Sequence, residues 1–291
     1  MKPWFILVMT LSLSACSMTS IKLFIVNSVA SLEGINIEQS LSYGPLSEQQ
    51  LNIYSSEEQS SKRPKKPVVI FFYGGCWGAC ITVKKDDYLF VAEALTSNGY
   101  LVVIPDYRLF PEVLFADIIG DAGLVVEWVS REIVAYGGDD QQIFLMGHSS
   151  GAHLAAMLTF DERYLKAEAR KKLRGFIGLA GAYDFLPFTK EYQKTLFGPA
   201  KNYYDSQPIN FVEGSEPASL LLYGEKDQTV KRRNIDNLSK KIQGLGGDAQ
   251  SEIYPEIDHV GILAALSKLK RESAPVVSDL IQFLNEKSTL E

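Results

Sequence analysis

The chain has 291 residues, 46% of them hydrophobic and 22% charged, with a formal net charge of −6. That balance describes a folded globular protein with ample material for one large core. The acidic excess, with no long basic block, excludes nucleic acid as the main partner, and the run Lys62-Arg63-Pro64-Lys65-Lys66 reads as a solvated loop.

The N-terminus reads as a targeting segment. Lys2 gives a positive start, and residues 5–13 form an apolar stretch too short to span a bilayer as an ordinary helix. Leu13-Ser14-Ala15-Cys16 resembles a bacterial lipobox, in which cleavage falls just before the cysteine and the cysteine is then lipidated. The expected organisation is a signal peptide over 1–15, a lipidated tether over 16–40 with a short packed element at about 21–32, and a folded domain over 41–291. Ser17, where Asp would retain such a protein at the inner membrane, places the expected site at the outer membrane, facing the periplasm. A lipidated Cys16 would hold the domain to the bilayer without inserting it.

Beyond the tether, apolar runs alternate with helical stripes. Strands are expected at 50–54, 68–73, 100–105, 142–146, 175–180, 218–223 and 250–254. Helices are expected at 86–98, 113–136, 150–160, 230–243 and 274–286. The unbroken run Val68-Val69-Ile70-Phe71-Phe72-Tyr73 is what a strand covered on both faces requires. The alternation calls for an α/β domain, a mostly parallel sheet of about eight strands with helices on both faces.

The stretch most charged with chemistry is Gly147-His148-Ser149-Ser150-Gly151, set between an apolar strand and an apolar helical run. G-x-S-x-G in a strand–turn–helix setting is a nucleophile elbow, whose glycines allow a tight turn that lifts the serine to the tip of the sheet. A serine needs a base, and the base needs an orienting acid. The chain has three histidines, His148, His153 and His259. His148 is adjacent to Ser149 and should point away from it. His153 lies one helical turn on and reads as a buried structural histidine. His259, in a loop after the last strand, is left as the base. Asp227, in the loop after the strand at 218–223, is the expected acid, with Glu225 as the alternative. Asp227 could also serve only as a cap for the following helix.

Tyr73-Gly74-Gly75-Cys76-Trp77 follows a strand and has the form of an oxyanion loop. The N–H groups of Gly74, Gly75, Cys76 and Ser150 are the candidate donors. No G-x-G-x-x-G after a strand, P-loop or His–Cys cluster is present, so neither a cofactor nor a metal is expected.

Five segments together carry a resemblance. They are Leu51-Asn52-Ile53-Tyr54, the loop at Tyr73–Trp77, Asp106-Tyr107-Arg108-Leu109-Phe110-Pro111-Glu112, the elbow, and Gly181-Ala182-Tyr183-Asp184. In this order, over residues 41–287, the chain resembles the α/β-hydrolase superfamily. Within it, the chain is similar to the carboxylesterase-like group of hormone-sensitive-lipase-type, feruloyl-esterase-like and kynurenine-formamidase-like enzymes. Tyr73 departs from the usual His and Cys76 from the Gly of lipase-type relatives. The resemblance implies a serine hydrolase that cleaves small carboxylic esters through an acyl-enzyme. The alternatives are an arylformamidase or other amide hydrolase, and a non-catalytic binding protein on the same fold. Arg108 is expected to pair internally. Residues 181–217, rich in aromatic side chains, are the only room for a lid; a small partial lid lining an acyl or aryl pocket favours short-chain or aryl esters. Cys76 and Cys80 are read as two free, partly buried thiols in preference to a short disulfide.

Overall fold

Residues 25–33, 35–56 and 64–288 are described by the structure, a computed structural model of the protein. The signal segment, Cys16 and the tether up to residue 24 lie outside the described residues. Eight strands form one sheet: β1 (Asn36–Ser42), β2 (Gln50–Ser55), β3 (Lys66–Phe72), β4 (Leu101–Pro105), β5 (Gly138–His148), β6 (Leu173–Leu179), β7 (Ala218–Gly224) and β8 (Ala249–Tyr254). Their order is β1-β2-β4-β3-β5-β6-β7-β8. β2 runs antiparallel to both neighbours and every other pairing is parallel.

Successive side chains of a strand point to opposite faces. Residues 68–72 of β3 are all fully buried, so both faces of the sheet are covered there. The covering helices are α1 (Leu89–Thr96), α2 (Phe115–Glu132), α3 (Ser150–Phe160), α4 (Glu191–Phe197), α5 (Arg233–Gly244) and α6 (Val276–Ser288). α3 is buried along its whole length, as a helix that is apolar on all sides must be. α5 buries only Asn234, Ile235, Leu238, Ser239 and Ile242, a stripe with helical spacing.

Two departures from the sequence reading have clear causes. Residues 36–40, read as tether, belong to β1. This edge strand carries only Ile37 and Leu41 as apolar residues, and its register with β2 shifts between Glu38 and Leu41, which blurs the period of two. The expected helix at 86–98 starts as a 3-10 turn, Lys85–Tyr88, before α1. The short helix at 25–30 does dock on the domain, since Asn27 accepts the Phe90 N–H at 3.2 Å and donates to the Asp86 carbonyl at 3.4 Å.

The lid segment holds α4 and the 3-10 turns Ala200–Asn202, Tyr204–Ser206 and Pro208–Phe211. Tyr183, Phe188 and Phe197 are buried, whereas Tyr204 is 62% exposed. Phe188 lies over Phe197 at 5.2 Å between ring centroids, and Trp77 meets Phe197 edge-on at 5.1 Å. The lid is therefore fastened to the oxyanion loop by aromatic packing. β3, β5, β7 and β8 all run in one direction, so the loops after them gather at a single edge of the sheet, where ligands bind in open α/β folds.

Candidate active site

Ser149 sits between β5 and α3 with φ 56° and ψ −120°, a conformation that costs a non-glycine residue on the order of 1–3 kcal/mol. Its surroundings enforce it. A Cβ on Gly151 would lie 2.0 Å from the Phe72 carbonyl oxygen, and one on Gly147 would lie 2.4 Å from the Gly151 main chain. The Ser149 N–H donates to the Leu179 carbonyl at 2.9 Å, tying the elbow to β6.

His259 Nε2 lies 2.9 Å from Ser149 Oγ, and His259 Nδ1 lies 2.7 Å from Asp227 Oδ2. A carboxylate only accepts, so Nδ1 carries the proton and Nε2 is left to accept from the Ser149 hydroxyl. Asp227 Oδ1 accepts the N–H groups of Thr229 at 2.7 Å and Val230 at 2.9 Å. One oxygen thus fixes the turn and the other holds the His259 ring. Glu225 is not part of the array; it lies 3.6 Å from Arg232 and is exposed.

The oxyanion loop lies directly over the elbow. A Cβ on Gly74 would approach Ser149 Cβ to 3.1 Å, tighter than an ordinary contact, so a side chain here would push on the elbow. Gly75, Cys76 and Trp77 have φ of 127°, 56° and 57°, and the Trp77 N–H donates to Ser150 Oγ at 3.2 Å. Cys76 and Cys80 are joined in a disulfide with a Cα–Cα separation of 5.3 Å, which corrects the expectation of two free thiols. The turn that brings them together is closed by Gly78 and Cys80 N–H groups bonding to the Gly75 carbonyl at 3.1 and 3.2 Å. Four-residue spacing alone carries no information about such left-handed backbone. Tyr73, in place of the usual His, stacks between Tyr88 and Tyr107 and donates to Asp106 Oδ1 at 3.0 Å. Arg108 pairs internally as expected, through a two-pronged contact to Asp121 at 2.8 Å on each side.

The other two histidines are structural, each in its own way. His153 Nε2 donates to the Ser206 carbonyl of the lid at 2.8 Å, and its Nδ1 accepts the Trp77 indole N–H at 3.3 Å. His148 makes a contact to the site that sequence reasoning missed. It does not touch Ser149 Oγ; its Nε2–H donates to the main-chain carbonyl of His259 at 2.8 Å. The residue before the nucleophile thus holds the loop of the candidate base. Adjacency to Ser149 was the only signal available, and it does not encode a contact to a loop 111 residues away. Replacing His148 by Phe should lower kcat about 10–100-fold through loosened geometry, with KM nearly unchanged. The melting temperature should fall only a few degrees, because about 1 kcal/mol of hydrogen bonding is lost. His148→Gln, whose amide N–H occupies a similar place, should recover part of the loss.

Burial depresses both rings, His148 to about 3 and His153 to about 4, from an ordinary 6.5. His259 adds to the effect at His148 by proximity of its charge. An unfolded chain binds these protons as pH falls below 6.5 and the folded chain does not, until pH nears the depressed values. The stabilisation is therefore complete above the unfolded value and is lost on acidification, by about 1.4 kcal/mol per pH unit for each ring. Urea midpoints measured from about pH 7 to pH 5 should fall, and His153→Phe should flatten the fall by one histidine's share.

A cavity of about 280 Å³ opens at Ser149, bounded by Cys76 and Trp77 on one side and by Phe185, Pro187 and Tyr192 of the lid on the other. The BD-FAE family model matches residues 51–242, from β2 through most of α5. The chain belongs to the BD-FAE family. The match takes in Ser149 and Asp227 and stops short of His259.

Among proteins similar to this BD-FAE chain is a probable isoprenylcysteine alpha-carbonyl methylesterase of Arabidopsis thaliana, 25% identical over 257 residues, 78% of this chain and 51% of that protein. Another is the kynurenine formamidase of Danio rerio, 28% identical over 233 residues, 77% of this chain and 75% of that protein. The chain spans about half the length of the plant relatives it matches, between 49% and 57% for four of them. Among solved structures, an inhibited esterase B from Lactobacillus rhamnosis superposes with a TM-score of 0.75 at 20% identity, covering 95% of both chains. A truncated carbohydrate esterase from gut microbiota superposes with a TM-score of 0.70 at 20% identity, over 87% of this chain and 96% of that one. These likenesses, with the eight-stranded sheet, establish the α/β-hydrolase fold expected from the sequence.

Proposed function

We propose that the protein is a serine hydrolase of small carboxylic esters. The observation that carries this reading is the hydrogen-bonded line Ser149–His259–Asp227 at the cavity mouth. Ser149 Oγ attacks the ester carbonyl carbon as His259 Nε2 takes its proton. Asp227 holds the ring and stabilises the imidazolium. The oxyanion is met by the N–H groups of Gly75, Cys76 and Ser150, with Gly74 giving the approach; each donor of this kind is worth roughly 3 kcal/mol in the transition state. His259 protonates the leaving alcohol, and water, activated by the same ring, releases the acid. The relatives and structural neighbours named as esterases support the same chemistry. A fluorophosphonate probe should label the protein at Ser149, and absence of labelling would favour a non-catalytic binding protein.

The resemblance to a kynurenine formamidase supports a second reading, in which the same residues cleave a formyl amide. The amide nitrogen leaves only once His259 protonates it. Matched ester and anilide substrates separate the two, since an amide hydrolase retains comparable rates on both.

The lipid anchor at Cys16 and the outer-membrane, periplasm-facing location are part of the proposal and are supported by the lipobox-like sequence. An alkyne palmitate analogue should label the full chain in a Gram-negative host, and Cys16→Ser should abolish labelling and release the protein from the membrane fraction.

A further inference from the structure

The cavity at Ser149 has an uneven charge. Lys231 and Arg233 line it, and no Asp or Glu does. The protein as a whole is acidic, with a net charge of −6, so two exposed cations as the charged groups of the lining run against the average. The other polar lining groups, among them Thr189, Gln193 and Asn234, are neutral.

Pairing separates these cations from their neighbour. Arg232, between them in sequence, does not line the cavity and is compensated by Asp236 at 3.3 Å and Glu225 at 3.6 Å. Among the described residues, no carboxylate lies within 4.0 Å of Lys231 or Arg233. Arg233 donates to the Leu186 carbonyl at 2.5 Å, a neutral acceptor that positions the guanidinium against the lid and leaves its charge uncompensated.

The placement also breaks a local rule. Lys231, Arg232 and Arg233 lead into the N-terminus of α5, where the helix dipole favours anions and disfavours cations. The first turn does carry Asp236, which pairs with Arg232, so the two cations left facing the helix dipole without a carboxylate partner are those that line the cavity. Rule-breaking of this kind concentrates where a site needs it, and the field of the helix end adds to that of the two side chains.

We propose that this cavity selects esters whose acyl or alcohol part carries a second, ionised carboxylate remote from the scissile bond. The inference rests on the hydrolase reading of Ser149. It adds that the substrate is a small anion, held by Lys231 and Arg233 while the aromatic lid covers its apolar portion.

Two substrate pairs test it and locate the charge. 4-Acetoxybenzoate against 4-methylphenyl acetate puts the carboxylate on the alcohol side. Monomethyl adipate against methyl heptanoate puts it on the acyl side. For each pair the charged-to-neutral ratio of kcat/KM is divided by the ratio of hydroxide-catalysed rates. One pair should give a corrected ratio of about ten or more in the wild type, lowered by added salt. In the Lys231→Gln/Arg233→Gln double variant it should fall about tenfold. Arg233→Lys, which keeps the charge, should retain most of it. Corrected ratios at or below unity for both pairs, or a ratio unmoved in the double variant, overturn the proposal while leaving ester hydrolysis intact. Should no ester be hydrolysed at all, saturation-transfer NMR with 4-hydroxybenzoate and 4-methylphenol decides separately. Preferential binding of the anion, lost in the double variant, supports the anion site without the hydrolase reading; equal binding of the two overturns it.

Discussion

Ser149→Ala is expected to lower kcat/KM for p-nitrophenyl acetate by on the order of 10⁴-fold or more, with the fold unchanged. On the proposed mechanism, the substitution removes the hydroxyl that attacks the carbonyl carbon, which lies 2.9 Å from His259 Nε2. It leaves the rest of the elbow alone. Alanine at φ 56° is about as disfavoured as serine there, and the close approaches at Gly147 and Gly151 persist, so melting temperature should shift little. The residual rate would come from water attacking a carbonyl still held by the oxyanion donors. Turnover near the wild-type level in this variant, measured on protein free of host esterase, would remove Ser149 from the mechanism.

Asp227→Asn is expected to lower kcat by about 10⁴-fold while sparing the turn. The asparagine carbonyl oxygen can go on accepting the Thr229 and Val230 N–H groups as Oδ1 does now. Its amide then presents N–H donors to His259 Nδ1, which must become an acceptor. The ring proton moves to Nε2, and Nε2 no longer accepts from Ser149. The defect is thus one of tautomer, visible by NMR as a change in which ring nitrogen is protonated. Glu225→Gln provides the contrast, because Glu225 is exposed and turned to Arg232; its kcat should remain within about twofold of wild type. A large loss at Glu225 with none at Asp227 would exchange their roles.

How much of this was legible in the sequence depends on the range of the forces involved. Strands such as β3 and β7 and the helix α3 are written in unbroken apolar runs, and their positions were readable within a few residues. Ser149, Asp227 and His259 were readable because each occupies a loop at the end of a strand, and strand ends set where loops converge. β1 was not, because an edge strand with two apolar residues and a shifted register leaves no periodic trace. The Cys76–Cys80 pairing was misjudged because it depends on four successive positive φ values, at Gly75 to Gly78, a backbone path that composition does not announce. His148 was set aside because its partner is a main-chain carbonyl, and a main-chain atom leaves no mark in sequence. The charge of the cavity lining was hidden for a related reason: Lys231, Arg232 and Arg233 fall in the expected helix at 230–243, and only the fold shows which two of the three line the cavity.

The lid is tied to the domain largely through its own main chain. Asn234 accepts the N–H groups of Tyr183 at 2.8 Å and Asp184 at 2.7 Å, Arg233 donates to the Leu186 carbonyl, and His153 donates to the Ser206 carbonyl. Each of these anchoring side chains sits on the body and grips backbone, which any amino acid other than proline at an N–H position supplies; side-chain contacts add to them, Asn237 donating to Asp184 Oδ2 at 2.6 Å and Trp77 meeting Phe197 edge-on. The path of the lid is therefore set in large part by the body, while lid side chains outside these contacts are left open to mutation. In evolutionary terms, the segment at 181–217 can diverge in substrate preference without renegotiating its attachment. For protein engineering the same property makes it a cassette: lids exchanged among relatives should seat correctly as long as Asn234, Arg233 and His153 are retained in the recipient and the lid keeps partners like Asp184 and Phe197 for Asn237 and Trp77.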